Sequence, residues 1–210
     1  QSPLMPPVSV IVPAHNESIN IIESVLSVLK LRYPIFEVVV VNDGSSDDTL
    51  AILLERFRMR RTERGFDSHI PCKPILAVYE SAEFPNLVAV DKRNGGKGDA
   101  QNAGINVSRY PLFCTIDGDS LLEEDALLRV ARPFHDYPGQ IVATGGTIRI
   151  ANGSLIRAGR ITDARLAHAL LPRIQAAVSA RQDCDFVCID TTNASRRPYR
   201  GTGGIIRGAN

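Results

Sequence analysis

The sequence predicts an α/β protein built on a mixed, mainly parallel sheet flanked by helices. Short apolar runs rich in β-branched residues recur along the first two thirds of the chain. Segments with helical apolar spacing alternate with them. Polar clusters follow three of the runs, where sheets of this kind hold their ligands.

The elements follow in order. Residues 8–12 (VSVIV) form a continuous apolar run, the mark of a strand buried on both faces, and Pro13 ends it. Ile19, Ile22, Leu26 and Leu29 recur at helical spacing and predict a helix over 17–30. Residues 36–41 (FEVVVV) are a second buried strand, closed by the turn-rich NDGSSDDT. Leu50, Leu53, Leu54 and Phe57 mark a second helix, with Ser45 and Asp48 spaced as a capping box at its start. The arginine-rich 56–65 (RFRMRRTERG) reads as a solvated helix end, where cations suit the dipole; contact with an anionic lipid or an acidic partner is the alternative. Residues 62–73 read as a loop, and 75–79 and 87–90 as strands. NGGKGDAQNAG, 94–104, opens a helix of small residues. A strand over 112–116, a helix over 121–130 and a strand over 141–144 complete the pattern.

One folded unit is expected over 1–172, because 210 residues with 44% hydrophobic content suit a single core. Residues 173–210 have weak periodicity and a polar, glycine-rich end, and are expected to be an atypical, disordered tail. A net charge of +1 gives no global reason to expect nucleic acid. No apolar run reaches the roughly 18 residues of a membrane span. The chain starts at Gln1 without a signal-like segment, so a piece excised from something longer is expected. Cysteines stand at 72, 114, 184 and 188, without paired zinc spacing, and are expected to be reduced, with Cys114 buried in its strand.

The site reading rests on the polar clusters. Asp117-Gly118-Asp119 ends an apolar strand with two carboxylates one residue apart. With 14 aspartates in 210 residues about one such D-x-D arises by chance, and a second does occur at Asp183-Cys184-Asp185, so the spacing alone decides nothing. At a strand end facing a ligand crevice, the two like charges suit a hard divalent cation carried by a nucleotide diphosphate. The plain alternative is that Asp119 or Ser120 caps the helix that follows. Asp43 ends the valine strand, where it either accepts from the N3–H of a uracil ring or forms an Asp-Gly turn. Glu17 lies in the loop that would face base and ribose, or is a first-turn glutamate; Asp47 and Asp48 suit a helix start. Lys97, in a glycine turn at a helix start, can hold phosphate or be a surface lysine. Gly98 after it removes the hydroxyl of a P-loop, and the glycine spacing is not that of a dinucleotide fold. His15 reads as an exposed loop residue, and no histidine has metal or triad spacing.

VSVIVPAHNES, VVVVNDGSSDDT, NGGKGDAQNAG and FCTIDGDSLLEEDAL, in this order, resemble the family 2 glycosyltransferases of GT-A fold over about residues 8–150. GGTIRIANG, 145–153, further resembles the membrane-embedded, processive synthases among them. The resemblance implies transfer of sugar from a nucleotide diphosphate, a UDP-sugar by preference, to a saccharide or lipid acceptor by an inverting, Mg²⁺- or Mn²⁺-dependent mechanism. It implies that Pro13, Ala14 and Glu17 border the nucleotide and that Asp43 contacts the base. It implies that Lys97 lies near the donor phosphates, and that Asp117 and Asp119 bind the sugar nucleotide and the metal. It also implies polysaccharide or cell-envelope glycan synthesis at the cytoplasmic side of the membrane for the complete protein. The E-D motif that carries the general base in this family, and the Q-x-x-R-W motif of its processive members, are not found. Asp163, Asp183, Asp185 and Asp190 lack the right neighbours, so no base is nominated and the fold is expected to be incomplete. A nucleotide-binding module without turnover is the competing reading. A nucleotidyltransferase is weaker still, because PAHNES lacks a glycine-rich, basic signature.

Overall fold

In the computed structural model, residues 5–117, 122–146, 155–157, 160–163 and 187–190 are described. The chain runs β1 (Val8–Ala14), α1 (Ile21–Leu29), β2 (Phe36–Asp43), α2 (Thr49–Arg56), β3 (Met59–Thr62), β4 (Ile75–Ser81) and β5 (Leu87–Lys92). It continues with α3 (Lys97–Val107), β6 (Leu112–Thr115), α4 (Ala126–Asp136), β7 (Ala143–Gly145), β8 (Leu155–Arg157), β9 (Arg160–Asp163) and β10 (Val187–Asp190). Eight strands form one sheet in the order β3-β4-β5-β2-β1-β6-β10-β7, and β8 and β9 pair separately. The centre, β5-β2-β1-β6, is parallel, while both flanks are antiparallel.

The apolar runs explain this layering. Successive side chains point to opposite faces, so a strand apolar throughout needs cover on both. Val8, Val10, Val12, Val38 and Val40 pack with Ile21, Val25 and Val28 of α1, Leu53 of α2 and Leu127 and Val130 of α4. Ile11, Val39, Val41, Val88 and Val90 pack on the other face with Ala100, Ala103 and Val107 of α3. The small residues of α3 let it lie close. A Cβ on Gly104 would come within 2.5 Å of Ile11 Cγ2.

Several boundaries differ from expectation. α1 starts at Ile21, not 17, because Asn16 takes a left-handed φ of 57° and a turn follows in which the Asn20 and Ile21 amides donate to the Glu17 carbonyl. The helix expected over 121–130 is α4, Ala126–Asp136, which runs on through Pro133. Its buried Leu127, Val130, Ala131 and Phe134 keep the 3.6-residue stripe that holds it to the sheet. The expected solvated helix end is instead the edge strand β3, with Met59 buried and Arg60 and Arg61 outside. Arg64 is not solvated either: it is buried against Glu37 at 2.9 Å and Glu80 at 3.3 Å. β10 lies within the stretch expected to be a disordered tail, yet it inserts between β6 and β7 with Cys188 and Ile189 buried. Cys188 stands opposite Cys114 in that pairing, and Cys72, Cys114 and Cys188 are all free thiols. Burial, then the neighbouring Cys188, pushes the Cys114 thiol well above its ordinary value, so it behaves as packing rather than as a nucleophile. Among the described residues no helix is long and apolar enough to cross a membrane.

Candidate functional site

The chain leaves β1 toward β2 on one side and returns to β6 on the other, so the sheet reverses direction at β1. Ligands of such sheets bind outside the strand ends at this reversal. A cavity of about 330 Å³ opens there, lined among others by Pro13, Ala14, Glu17, Asp43, Lys97 and Asp117. Six residues singled out from the sequence therefore share one cavity, although they come from four separate stretches of the chain. Asp119, the seventh, lies outside the described residues, as does Ser120.

Each wall has a local cause. The loop after β1 is fastened to the loop after β2. Asn16 Oδ1 accepts from the Ser46 amide at 2.8 Å, and the Asn16 amide donates to Ser45 Oγ at 3.0 Å. The Glu17 amide donates to Thr49 Oγ1 at 2.8 Å, and the Ser18 amide to Asp47 Oδ2 at 3.1 Å. These bonds replace the expected capping box: the Asp48 side chain makes no cap bond, and Ser45 serves Asn16 instead. Asp47 does more than suit the helix dipole. It accepts from both the Thr49 hydroxyl and the Thr49 amide, and the hydroxyl above all holds its carboxyl down at about 2.

Asp43 is 2% exposed. Its carboxylate accepts from Lys92 Nζ at 2.5 Å, from the Gly95 amide at 3.0 Å and from the Gly96 amide at 2.7 Å. The last two bonds shape the glycine turn in which Gly96, at a left-handed φ of 87°, leads into α3. Lys97 is the first residue of α3, and its Nζ lies 2.6 Å from Asp117 Oδ1 at the end of β6.

Sequence reasoning missed His15, Asn94 and Ala100, which also line the cavity. His15 Nδ1–H donates to the Asp43 carbonyl at 2.9 Å, which leaves Nε2 to accept from Asn16 Nδ2 at 3.3 Å. Asn94 Nδ2 donates to the same Asp43 carbonyl at 2.9 Å. Their partners are distant in sequence, so no local spacing betrays them. Lys92 was missed as well, although a lysine following the inward-facing Val88 and Val90 was a visible signal.

A larger groove of about 820 Å³ lies at the opposite end of the sheet, beside Arg64, Glu80 and Arg109. Arg64, Arg109 and Glu80 there are already matched. Glu37 accepts from Ser9, Arg64 and the Arg109 amide, and Glu80 pairs with Arg64 and Arg109. That network ties strand starts together and leaves the smaller cavity as the candidate site.

A parallel core with a polar crevice at its reversal defines the class of α/β proteins that hold ligands at strand ends. The profile of glycosyl transferase family 2 matches residues 9–70 and 71–199, and the chain belongs to that family. It is 29% identical over 149 residues to a poly-β-1,6-N-acetyl-D-glucosamine synthase of Staphylococcus epidermidis, covering 71% of this chain and 30% of that protein. A synthase of the same name from Staphylococcus aureus (strain COL) is 27% identical over 150 residues, again covering 71% and 30%. The chain thus spans about 30% of the length of these curated relatives. Among solved structures, a Pyrobaculum calidifontis mannosyltransferase in complex with GDP-Man and Mn²⁺ superposes with a TM-score of 0.58 at 16% identity, over 91% of this chain and 46% of that one. Staphylococcus aureus TarS 1–349 in complex with UDP-GlcNAc gives 0.51 at 25% identity, over 71% and 36%. The architecture is the expected GT-A fold, present in part.

Proposed function

We propose that this chain carries the donor half of a glycosyltransferase site. It binds a nucleotide-diphosphate sugar, a uridine one, together with Mg²⁺ or Mn²⁺. The complete protein moves the sugar with inversion to a saccharide or lipid acceptor, in polysaccharide or envelope-glycan synthesis at the cytoplasmic side of the membrane. The observation that carries this reading is the Lys97–Asp117 pair, 2.6 Å apart in a cavity at the sheet's reversal point. A cation and a carboxylate side by side are what a diphosphate and its metal each need. The likeness to TarS, solved with UDP-GlcNAc, supports the uridine donor.

Pro13, Ala14 and Glu17 would border base and ribose. Asp43 accepts from Lys92 and Gly96, with the Gly95 amide shared between its two oxygens, and the N3–H of uracil would compete for Oδ2 with the longer Gly95 contact. The carboxylates of the cavity offer oxygen alone, which suits a hard cation. Among the described residues no three metal-ligating side chains cluster, so Asp117 and Asp119 would hold the ion, with phosphate oxygens and water completing its shell. Bound there, the ion would neutralise charge on the diphosphate leaving group.

A general base is a separate matter. The register sets Asp190 beside Leu112, at the far end of β6 from Asp117, so it is no candidate. Calorimetric titration with UDP, with and without Mn²⁺, tests the donor site. Metal-dependent binding is expected, lowered at least tenfold in Asp117→Asn and in Asp119→Ala, about 1.4 kcal/mol or more. A cooperatively folded chain that binds no UDP in either condition would sink the assignment.

A further inference from the structure

Lys92 ends β5 with its side chain fully buried. Its ammonium donates to Asp43 Oδ1 at 2.5 Å, lies 2.5 Å from Asp99 Oδ1 and donates to the Arg93 carbonyl at 2.7 Å, so all three protons are engaged. Lys92 and Asp43 are register partners on adjacent parallel strands. They follow Val88–Val90 and Val39–Val41 on the α3 face, in columns where an apolar side chain would extend the core. Asp99 sits in the first turn of α3 and also accepts from the Lys73 amide at 2.9 Å. Burying Lys92 and Asp43, with Asp99 half-buried beside them, is costly, and apolar replacements of such clusters are often neutral or stabilising. A cluster kept at this point therefore asks for a reason beyond stability, and its place against the cavity wall supplies one. Burial works against the charge on Lys92, and the bonds and charges of Asp43 and Asp99 more than offset it, so its pKa is held above the ordinary lysine value.

We propose that Lys92 is a positioning residue of the donor site, acting through Asp43 and the Gly95–Gly96 turn to set which base the cavity accepts. This rests on the donor-site reading above. With Lys92 and Asp99 in place, the Asp43 carboxylate is clamped in one orientation, and its two amide bonds hold the turn from which Lys97 starts. An acceptor fixed there welcomes the N3–H of uracil and repels the N3 lone pair of cytosine. Without Lys92, Asp43 loses the bond that fixes its carboxylate, which is then free to turn toward the exocyclic amino group of cytosine as readily as toward the N3–H of uracil. Discrimination should then fall along with affinity, which loss of packing alone would not produce.

The test is calorimetric titration of the full chain with UDP and with CDP at fixed Mn²⁺, for the parent, Lys92→Met, Asp99→Asn and Arg64→Met. Lys92→Met should weaken UDP at least tenfold and shrink the UDP-over-CDP ratio several-fold. Asp99→Asn, which removes one anchor and keeps the ammonium, should shrink that ratio less, and it carries the test should Lys92→Met fail to fold. Arg64→Met removes a buried cation from the opposite end of the sheet; it should lower the melting temperature and leave the ratio unchanged. An unchanged ratio in folded Lys92→Met, or in Asp99→Asn where that variant carries the test, overturns the proposal and leaves the donor site standing. A parent that binds UDP and CDP equally overturns it too. A parent that binds neither overturns both readings.

Discussion

Lys97 and Asp117 hold each other across the candidate site with side chains 54% and 29% exposed. An ion pair this open to water is worth about 0–1 kcal/mol, so either member can change partners at little cost. A metal competes with Lys97 for Asp117, and a diphosphate competes with Asp117 for Lys97. Lys97→Met should therefore act with opposite signs on the two ligands. Affinity for Mn²⁺ alone should rise several-fold, and affinity for UDP with Mn²⁺ should fall about tenfold. Electron paramagnetic resonance counts free Mn²⁺ for the first, and calorimetry reads the second; two changes of the same sign would refute the exchange. At this scale the site was legible wherever chemistry shows in a loop. Asp43 and Asp117 stand out because charges follow apolar runs at strand ends, and Lys97 because it follows a glycine pair at a helix start. Lys92 carries a local signal, a charge in line with Val88 and Val90, but not its role, because its partners are 49 residues away at Asp43 and on the next helix at Asp99. His15 was set aside for the same reason.

Elements were legible in proportion to how deeply they are buried. β1, β2, β5 and β6 are covered on both faces, and their unbroken apolar runs announce them. β3 is an edge strand with one buried residue and two outward arginines, a composition that guards an edge and resembles a helix end. α3 shows most sharply what the sequence can convey about packing. Ala100, Ala103 and Gly104 are buried on its sheet side, and a Cβ at Gly104 would sit 2.5 Å from Ile11 Cγ2 and 3.2 Å from Val41 Cγ2. Those methyls belong to fully buried β-branched residues, which cannot swing aside. Gly104→Val should destabilise the chain by about 2 kcal/mol, the cost of overpacking outweighing the gain in helix propensity. A Cβ at Gly65 would meet nothing within 4 Å, and Gly65→Ala should stay within about 0.5 kcal/mol. Urea denaturation of both variants decides it, and equal midpoints would show that α3 can lift from the sheet.

For the molecule as a whole, strand–helix alternation implies a parallel sheet and a crevice at its reversal, and both are present. A mixed sheet was expected, but which strands would make its antiparallel flanks was not, because β3, β7 and β10, of three or four residues, carry almost no periodic signal. β10 matters most here. It comes from a stretch that looks unlike the rest, yet it covers the outer side of β6, the strand that delivers Asp117 to the cavity. Its Cys188 joins the core on the α1 face and its Ile189 the core on the α3 face, so a single short strand seals both layers. If residues 173–210 were a tail, a chain ending at residue 172 would fold as well as the full one. The pairing argues otherwise. Removing β10 uncovers the edge of β6 and withdraws Ile189, whose burial alone is worth about 1.5–3 kcal/mol. The shortened chain should unfold at a lower urea concentration, by at least about 2 kcal/mol, and should bind a hydrophobic dye under conditions where the full chain does not. Its UDP affinity should fall with it, since Asp117 then hangs from an unsupported strand end. Equal urea midpoints for the two chains would return residues 173–210 to the status of a tail and leave β6 stable without its neighbour.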